Sequence, residues 1–373
     1  MRQTTCKLTR LFAALVLAGS ASHALAAEPV RIALAGPVTG PVAQYGEMQF
    51  IGALMAIEHI NQSGGAGGRM LEAVVYDDAC DPRQAVAVAN RIVNDGVSFV
   101  VGHLCSSSTQ PASDIYEDEG ILMITPASTS PEITARGYRM IFRTIGLDSL
   151  QGPIAGRFIV ETLRPQKVAV IHDRQQYGEG IASAVKSAVE QAGIPVALFE
   201  GINAGDKDFS ALIARLRQAG VDLVYYGGYH PELGLLLRQS AEKGLRVRFM
   251  GPEGVGNSEI SAIAGQAAGG MLVTLPMAFD QAPQNQALTE AFRRRKQDPS
   301  GPFVFTAYAA VQVIAEGIAR SGGTDPEAVA EALRGGSFET PTGTLNFDDK
   351  GDLEDFSFVV YEWHADGSKS EAR

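Results

Sequence analysis

The chain has 373 residues, 45% of them hydrophobic, with 31 basic against 42 acidic side chains and a formal net charge of −11. That length and apolar content suit two domains of ordinary size. The acidic balance argues against nucleic acid and anionic membrane surfaces as partners.

The first segment carries Arg2, Lys7 and Arg10, an apolar core from Leu11 to Ala18, and the small-x-small tripeptide Ala24-Leu25-Ala26. This is the pattern of a secretory leader cleaved after Ala26. Cleavage removes three basic residues and no acid, taking the formal charge from −11 to −14. Cys6 precedes the apolar core and is lost with it, so no lipid-bearing cysteine stands at the cut. No later run sustains the roughly 18 apolar residues of a membrane span. The expected product is exported and untethered. Cys80 and Cys105 then remain, and two cysteines in an oxidising compartment most simply pair. A bridge across that interval stabilises by roughly 3 to 4 kcal/mol on the chain-entropy account.

Beyond the leader, β-rich runs alternate with amphipathic ones. Strands are predicted at 31–35, 71–76, 98–101, 122–125, 168–172, 196–200, 223–226, 248–250 and 271–274. Helices with apolar residues at three- and four-residue spacing are predicted at 48–61, 82–94, 151–163, 178–192, 209–219 and 231–243. This rhythm means parallel sheets flanked by helices. One series ends near Thr144-Ile145-Gly146, and a second runs from the helix 151–163 to about Pro276. Helices at 286–295, 303–321 and 325–334 follow. A hairpin-like end then joins Gly343–Phe347 to Phe356–Trp363 around Asp348–Asp352, expected to be a solvated turn. Elements added after two α/β units imply several crossings between them, hence a hinge and a cleft. The Gly-rich stretch Gly64–Gly68 precedes a strand rather than opening a helix, so a dinucleotide-loop reading fails on context.

An enzyme reading finds little to stand on. There is no G-x-S-x-G, H-E-x-x-H or G-x-x-x-x-G-K-[ST]. His59, His103, His172, His230 and His364 lack ligand spacing, and isolated histidines beside strand ends usually satisfy local backbone groups. A Ser/His/Asp arrangement built from distant residues is a matter of geometry, not of sequence order. Asp77-Asp78 reads as a strand end before a helix start, with Asp81 as N-cap and Pro82 at the first helical position. The 348–352 loop lacks calcium-loop spacing. No metal and no cofactor is expected.

The strand ends present something else. In a parallel α/β unit the residues after each strand face the cleft. Here they are Val38-Thr39-Gly40, His103-Leu104-Cys105-Ser106, Pro126-Ala127-Ser128-Thr129, Gly227-Gly228-Tyr229 and Gly251-Pro252-Glu253. The helix after Cys105 offers unpaired N–H groups and a positive dipole end to a carboxylate. Glu253 can hold an ammonium through charge-assisted bonds. The set suits a small zwitterion. Taken alone, Ser106 also fits a plain helix cap, and Tyr45, Tyr229 and Phe303 fit core packing.

Long segments, among them YDDACDPRQAVAVANRIVNDG, GHLCSSSTQPASDIYEDEGILMITPA, HDRQQYGEG, VYYGGYHPE and MGPEGVGN, carry a resemblance across the whole mature chain. It resembles the Leu/Ile/Val-binding proteins, periplasmic receptors of branched-chain amino acid ABC importers. The resemblance implies the type I periplasmic binding protein fold, an α/β architecture of two doubly wound parallel-sheet lobes joined by a three-segment hinge. The lobes would comprise 27–147 with 277–357, and 148–276 with 358–373. It implies no catalysis, a periplasmic monomer and an inner-membrane permease as partner. Ser106 would hold the ligand carboxylate with the Thr129 N–H, and the Ala127 carbonyl, the Thr129 hydroxyl and Glu253 would take the ammonium. Tyr45, Leu104, Cys105, Tyr229 and Phe303 would wall the side chain. The remaining serines and Thr109 would cap the helix. A binding protein for another small neutral amino acid or an amide is the alternative, differing mainly in that wall.

Overall fold

The computed structural model describes residues 28–373; the leader and its cleavage point lie outside them. In chain order the first unit contains β1 (Val30–Gly36), α1 (Ala43–Gln62), β2 (Leu71–Asp77), α2 (Pro82–Asn94), β3 (Phe99–Val101), α3 (Ser106–Asp118), β4 (Leu122–Thr125) and β5 (Ile141–Arg143). The second continues with α4 (Asp148–Phe158), β6 (Val168–His172), α5 (Gln176–Gln191), β7 (Val196–Gly201), α6 (Ser210–Ala219), β8 (Leu223–Gly227), α7 (His230–Glu242), β9 (Arg248–Gly251), α8 (Glu259–Ala264) and β10 (Leu272–Pro276). Then come α9 (Gln286–Arg294), α10 (Val304–Ser321), α11 (Pro326–Arg334), β11 (Ser337–Thr340), β12 (Gly343–Asn346), β13 (Phe358–Trp363) and β14 (Lys369–Glu371).

The strands sort into two main sheets, ordered β2-β1-β3-β4-β5 and β14-β13-β10-β9-β8-β6-β7. The first is wholly parallel. Its inner strands β3 and β4 are buried along their whole length, as continuous apolar runs must be when helices cover both faces. In the second sheet β6 to β10 are parallel, while β13 and β14 add an antiparallel edge. The chain passes from the first sheet to the second after β5, back after β10, and over again after β12.

Local sequence accounts for the elements. Asp81 caps α2 by accepting from the N–H groups of Arg83 and Gln84, with Pro82 at the first helical position. Ala85, Val88, Ala89 and Ile92 then fall on one buried face. Helix α10 is buried along most of its length, because it lies against α1 at backbone contact. A Cβ at Gly52 of α1 would stand 2.0 Å from the Val304 carbonyl oxygen, so only glycine admits this approach.

The chain end differs from expectation. Gly343–Phe347 and Phe356–Trp363 do not form a hairpin: β12 pairs with β11, and β13 pairs with β10 and β14, leaving a single bridge between Phe347 and Leu353. The two strands lie in different sheets because the intervening segment is the third crossing. Nor is Asp348–Asp352 simply a solvated turn. Asp348 Oδ1 accepts from the N–H groups of Lys350 and Asp352, which turns the Asp352 side chain inward to meet Arg143, 2.6 Å from its Nε. Strands β5, β11 and β14 are not among the predicted strands.

Candidate ligand site

Strand β3 ends at Val101 and delivers Leu104 and Cys105 to the start of α3. Cys105 occupies the N-cap position, no side chain caps this end, and its sulfur is bonded to Cys80 in the turn before α2, with a Cα–Cα distance of 5.6 Å. The start of α3 is thus pinned by a disulfide and left without a side-chain cap. Ser106 is buried at the first helical position; its Oγ accepts a long contact from the Ser130 N–H, 3.4 Å.

The expected capping by the later hydroxyls is not found. Thr109 donates back to the Cys105 carbonyl (3.1 Å) and lies 2.6 Å from the Ser128 hydroxyl, while Ser128 donates to Leu104 O (2.9 Å). The contacts of Thr109 and Ser128 join α3 to the loop after β4. His103 is structural, its Nδ1 2.6 Å from Asp78 and its Nε2 2.9 Å from the Tyr116 hydroxyl. The exposed turn Val38–Gly40 takes no part in the cluster; its amides and the Thr39 hydroxyl bind Asp77.

The loop after β4 places Ala127, Ser128 and Thr129. Its carbonyls are held from beneath by the buried Arg143, which donates to Ser128 O (2.7 Å) and Ser130 O (3.1 Å). Asp148, the first residue of α4, donates its N–H to Thr129 O at 2.9 Å. The side that would receive a ligand is thus fixed by backbone bonds from two neighbouring segments.

The second unit contributes from the ends of β8 and β9. Tyr229 follows Gly228, whose φ of +148° and crowding admit no side chain; a Cβ there would lie 2.6 Å from the Tyr226 hydroxyl. Glu253 follows β9. Contacts between the units close the arrangement: Tyr45 donates to Glu253 O (3.2 Å), and Gln44 Nε2 reaches Ser258 Oγ (3.2 Å). The Tyr45 ring meets Phe303 edge-on at 5.3 Å, His230 at 5.5 Å and Tyr229 at 6.4 Å.

All nine candidate residues are buried: Tyr45, Leu104, Cys105, Ser106, Ala127, Thr129, Tyr229, Glu253 and Phe303. The five apolar wall residues and Ala127 belong to one cluster drawn from both units. A surface cleft lined by Gln44, Met48, Asn257, Ser300 and Lys369 contains none of the nine.

Sequence reasoning missed four neighbours. Tyr177 packs on Tyr229 (5.2 Å) and accepts from the Gly254 N–H (3.0 Å). His230 backs Tyr45 and binds Glu259 and Asn257. Gln151 donates to Thr274 (2.8 Å to Oγ1), and Asp148 lies beside Thr129. Tyr177 stands inside the quoted HDRQQYGEG segment, a signal present but unused. Asp148 and Gln151 stand at the boundary between the two strand series, where no local pattern marks a functional side chain.

The electrostatics of this region are unusual. Glu253 is 1% exposed and Asp148 2%, and neither has a basic partner within salt-bridge distance. Glu253 Oε2, both carboxyl oxygens of Asp148, Thr129 Oγ1, Gln151 Oε1 and the Tyr225 hydroxyl have no partner within the chain. Burial pushes Glu253 up to about 7, against hydrogen bonding from Gln151, Tyr177 and Thr129. Burial, and then the like charge of Glu253, holds Asp148 well above the usual carboxylate range. Thr129 Oγ1 is close enough to both carboxyls to favour their charged forms, yet no contact it makes has good hydrogen-bond geometry. Buried acceptors normally find donors. A site rich in acceptors, joined through Ser130 to an uncapped helix start and walled by aromatic rings, suits a ligand with ammonium, carboxylate and apolar parts.

Among the described residues, no cluster of three His, Cys, Asp or Glu is placed to hold a metal ion, and no helix is long and apolar enough to cross a membrane.

Residues 29–368 match the family model described as periplasmic binding protein. The chain is 67% identical, over the full length of both, to the leucine-, isoleucine-, valine-, threonine- and alanine-binding protein of Pseudomonas aeruginosa. It is 54% identical to the Leu/Ile/Val-binding protein of Escherichia coli, over 94% of this chain and 95% of that one. The crystal structure of a leucine-binding protein from Thermotoga maritima superposes with a TM-score of 0.85 at 26% identity, covering 92% of this chain and 98% of that one.

Proposed function

The chain belongs to the periplasmic binding protein family, and from that premise we propose that it is a receptor that binds branched-chain amino acids between its two lobes and hands them to an ABC-type permease. The observation that carries this reading is the Glu253 carboxyl and Thr129 hydroxyl, buried without partners, with the residue after Thr129 in contact with Ser106 at the uncapped start of α3. The ligand carboxylate lies at the N–H groups and hydroxyl of Ser106, helped by the Thr129 N–H, where the helix dipole favours negative charge. The ammonium donates to Ala127 O, Thr129 Oγ1 and Glu253. Tyr45, Leu104, Cys105, Tyr229 and Phe303 take the aliphatic side chain, and Tyr177 completes that wall.

The lobes are 27–147 with 277–357, and 148–276 with 358–373, hinged at the three crossings. The carboxylate seat and part of the ammonium seat stand on the first lobe, so a ligand docks there in the open form. Tyr229 and Glu253 arrive from the second lobe on closure, and the closed form is the one a permease reads. The protein acts as a monomer in the periplasm, without catalysis, and the leader is removed after Ala26. Each CH₂ missing from a leucine side chain costs about 0.8 kcal/mol, so alanine and threonine bind more weakly than leucine, isoleucine and valine. Charged side chains are rejected because nothing in the wall pairs them.

Calorimetry on protein unfolded and refolded to strip carried ligand, with each common amino acid in turn, tests the reading. Leucine, isoleucine and valine are expected to bind at roughly micromolar Kd or tighter. No heat with any of the three would overturn it.

A further inference from the structure

Glu253 accounts for one negative charge at the ammonium seat, but a second buried carboxyl lies beside it without a role. Asp148 opens α4 at the first crossing between the sheets. Its main-chain N–H is spent on Thr129 O, its two carboxyl oxygens are buried without partners, and the Thr129 hydroxyl lies between it and Glu253. The groups facing the pair come from every adjoining element. Gln151 is one turn along α4, Tyr177 is on α5, Tyr225 on β8, Tyr229 before α7 and Tyr45 on α1. All are neutral near pH 7. The cation acting on Asp148 is Arg143, which is already paired with Asp352.

We infer that Asp148 is a second acidic determinant of the site: Asp148 and Glu253 share a proton in the free protein, and the ligand's ammonium takes that proton's place. The inference rests on the receptor reading above and deepens it. Two buried carboxyls close enough to feel each other's charge cannot both ionise without a counter-charge, and they titrate as a pair, not as separate residues. The positions of both groups well above their ordinary range agree with this. On binding, one carboxyl O–H bond breaks, the proton leaves to buffer as the lobes close, and the ammonium N–H groups donate to the freed oxygens. No covalent bond of the ligand changes. Binding that releases a proton must strengthen as pH rises through the pair's titration, by at most about tenfold per pH unit for one proton.

The test is leucine calorimetry on the mature wild-type protein at pH 7 in buffers of different ionisation enthalpy, where the slope of observed heat counts protons released. A substantial fraction of one proton is expected, with Kd falling between pH 6 and pH 8. Asp148→Asn keeps the backbone bond to Thr129 and removes Asp148 from the exchange, so it is expected to bind leucine with clearly less proton release than the wild type, the remainder coming from Glu253, and with a shallower pH profile. A wild-type slope of zero, or an unchanged slope in Asp148→Asn, overturns the inference. The wild-type pH profile of Kd is a second arm that does not require the variant to fold, and a flat profile between pH 6 and pH 8 also overturns it. Leucine that binds without proton exchange would leave the receptor reading intact; leucine that does not bind at all would remove the receptor reading itself.

Discussion

Two groups of buried charge lie within a few residues of each other in this protein, and they are built on opposite principles. Around Arg143, the charge is balanced inside the chain. The guanidinium donates to Ser128 O, Ser130 O and the Thr134 hydroxyl, lies 2.6 Å from the Asp352 carboxylate, and Thr134 in turn donates to Asp352 at 2.8 Å. Around Glu253 and Asp148 the acceptors are left over. Burial is the same in both places, so burial of charge does not by itself mark function. What separates them is whether the chain supplies the counter-charge. The closed circuit balances its own charge; the open one is the proposed seat of a ligand's charge.

Breaking the closed circuit gives the largest effect. Arg143→Met leaves Asp352 buried and unpaired and removes the support under the 128–130 carbonyls, so denaturation is expected to reveal a loss of about 3–5 kcal/mol. The double variant Arg143→Met with Asp352→Leu should recover most of it. If it does not, the pair contributes something beyond charge balance.

Glu253→Ala tests the open circuit. It should raise the leucine Kd by roughly 30-fold to 1,000-fold, a loss of about 2–4 kcal/mol in binding, while the unliganded protein stays folded. Unchanged affinity by calorimetry would remove Glu253 as the ammonium partner.

The third effect concerns stability without ligand. The folded protein holds Glu253 at about 7, above its ordinary value near 4.5. A raised carboxyl contributes stability below its unfolded value and loses it as pH rises through the folded one. Glu253→Gln does not titrate, so its advantage over the wild type should grow between pH 5 and pH 8, by about 1–3 kcal/mol. A difference independent of pH would contradict the placement of this group. The same substitution abolishes the ionic contact to the ammonium, an instance of a site kept at the expense of stability. The smallest effect lies in the wall. Valine in place of leucine removes one CH₂ and should weaken binding about fourfold, near 0.8 kcal/mol.

The sequence carried the architecture well and the closed circuit hardly at all. The alternation of β-rich and 3.6-period runs placed most strands of both main sheets, because continuous buried strands and amphipathic helices leave periods behind them. The end of the chain misled for the same reason: Gly343–Phe347 and Phe356–Trp363 look like neighbours in a hairpin, but an isolated strand period does not say which sheet receives it. The chemistry divides likewise. Ser106, Thr129 and Glu253 stand directly after strands, where position along the chain predicts position in the cleft. Arg143 with Asp352, and Asp148 with Glu253, lie more than 100 residues apart in sequence, the first pair meeting across two of the chain's crossings and the second within one unit. No spacing in the sequence encodes those meetings.

The central claim is that the unpaired carboxyl at Glu253 is the seat of a ligand ammonium. The most direct measurement compares calorimetric titration of leucine with that of 4-methylpentanoate, the same carbon skeleton without the amino group. The account predicts binding of leucine and a loss of at least roughly 100-fold for the analogue, because its binding leaves the buried acceptors unpaired. Comparable affinities for the two would contradict it.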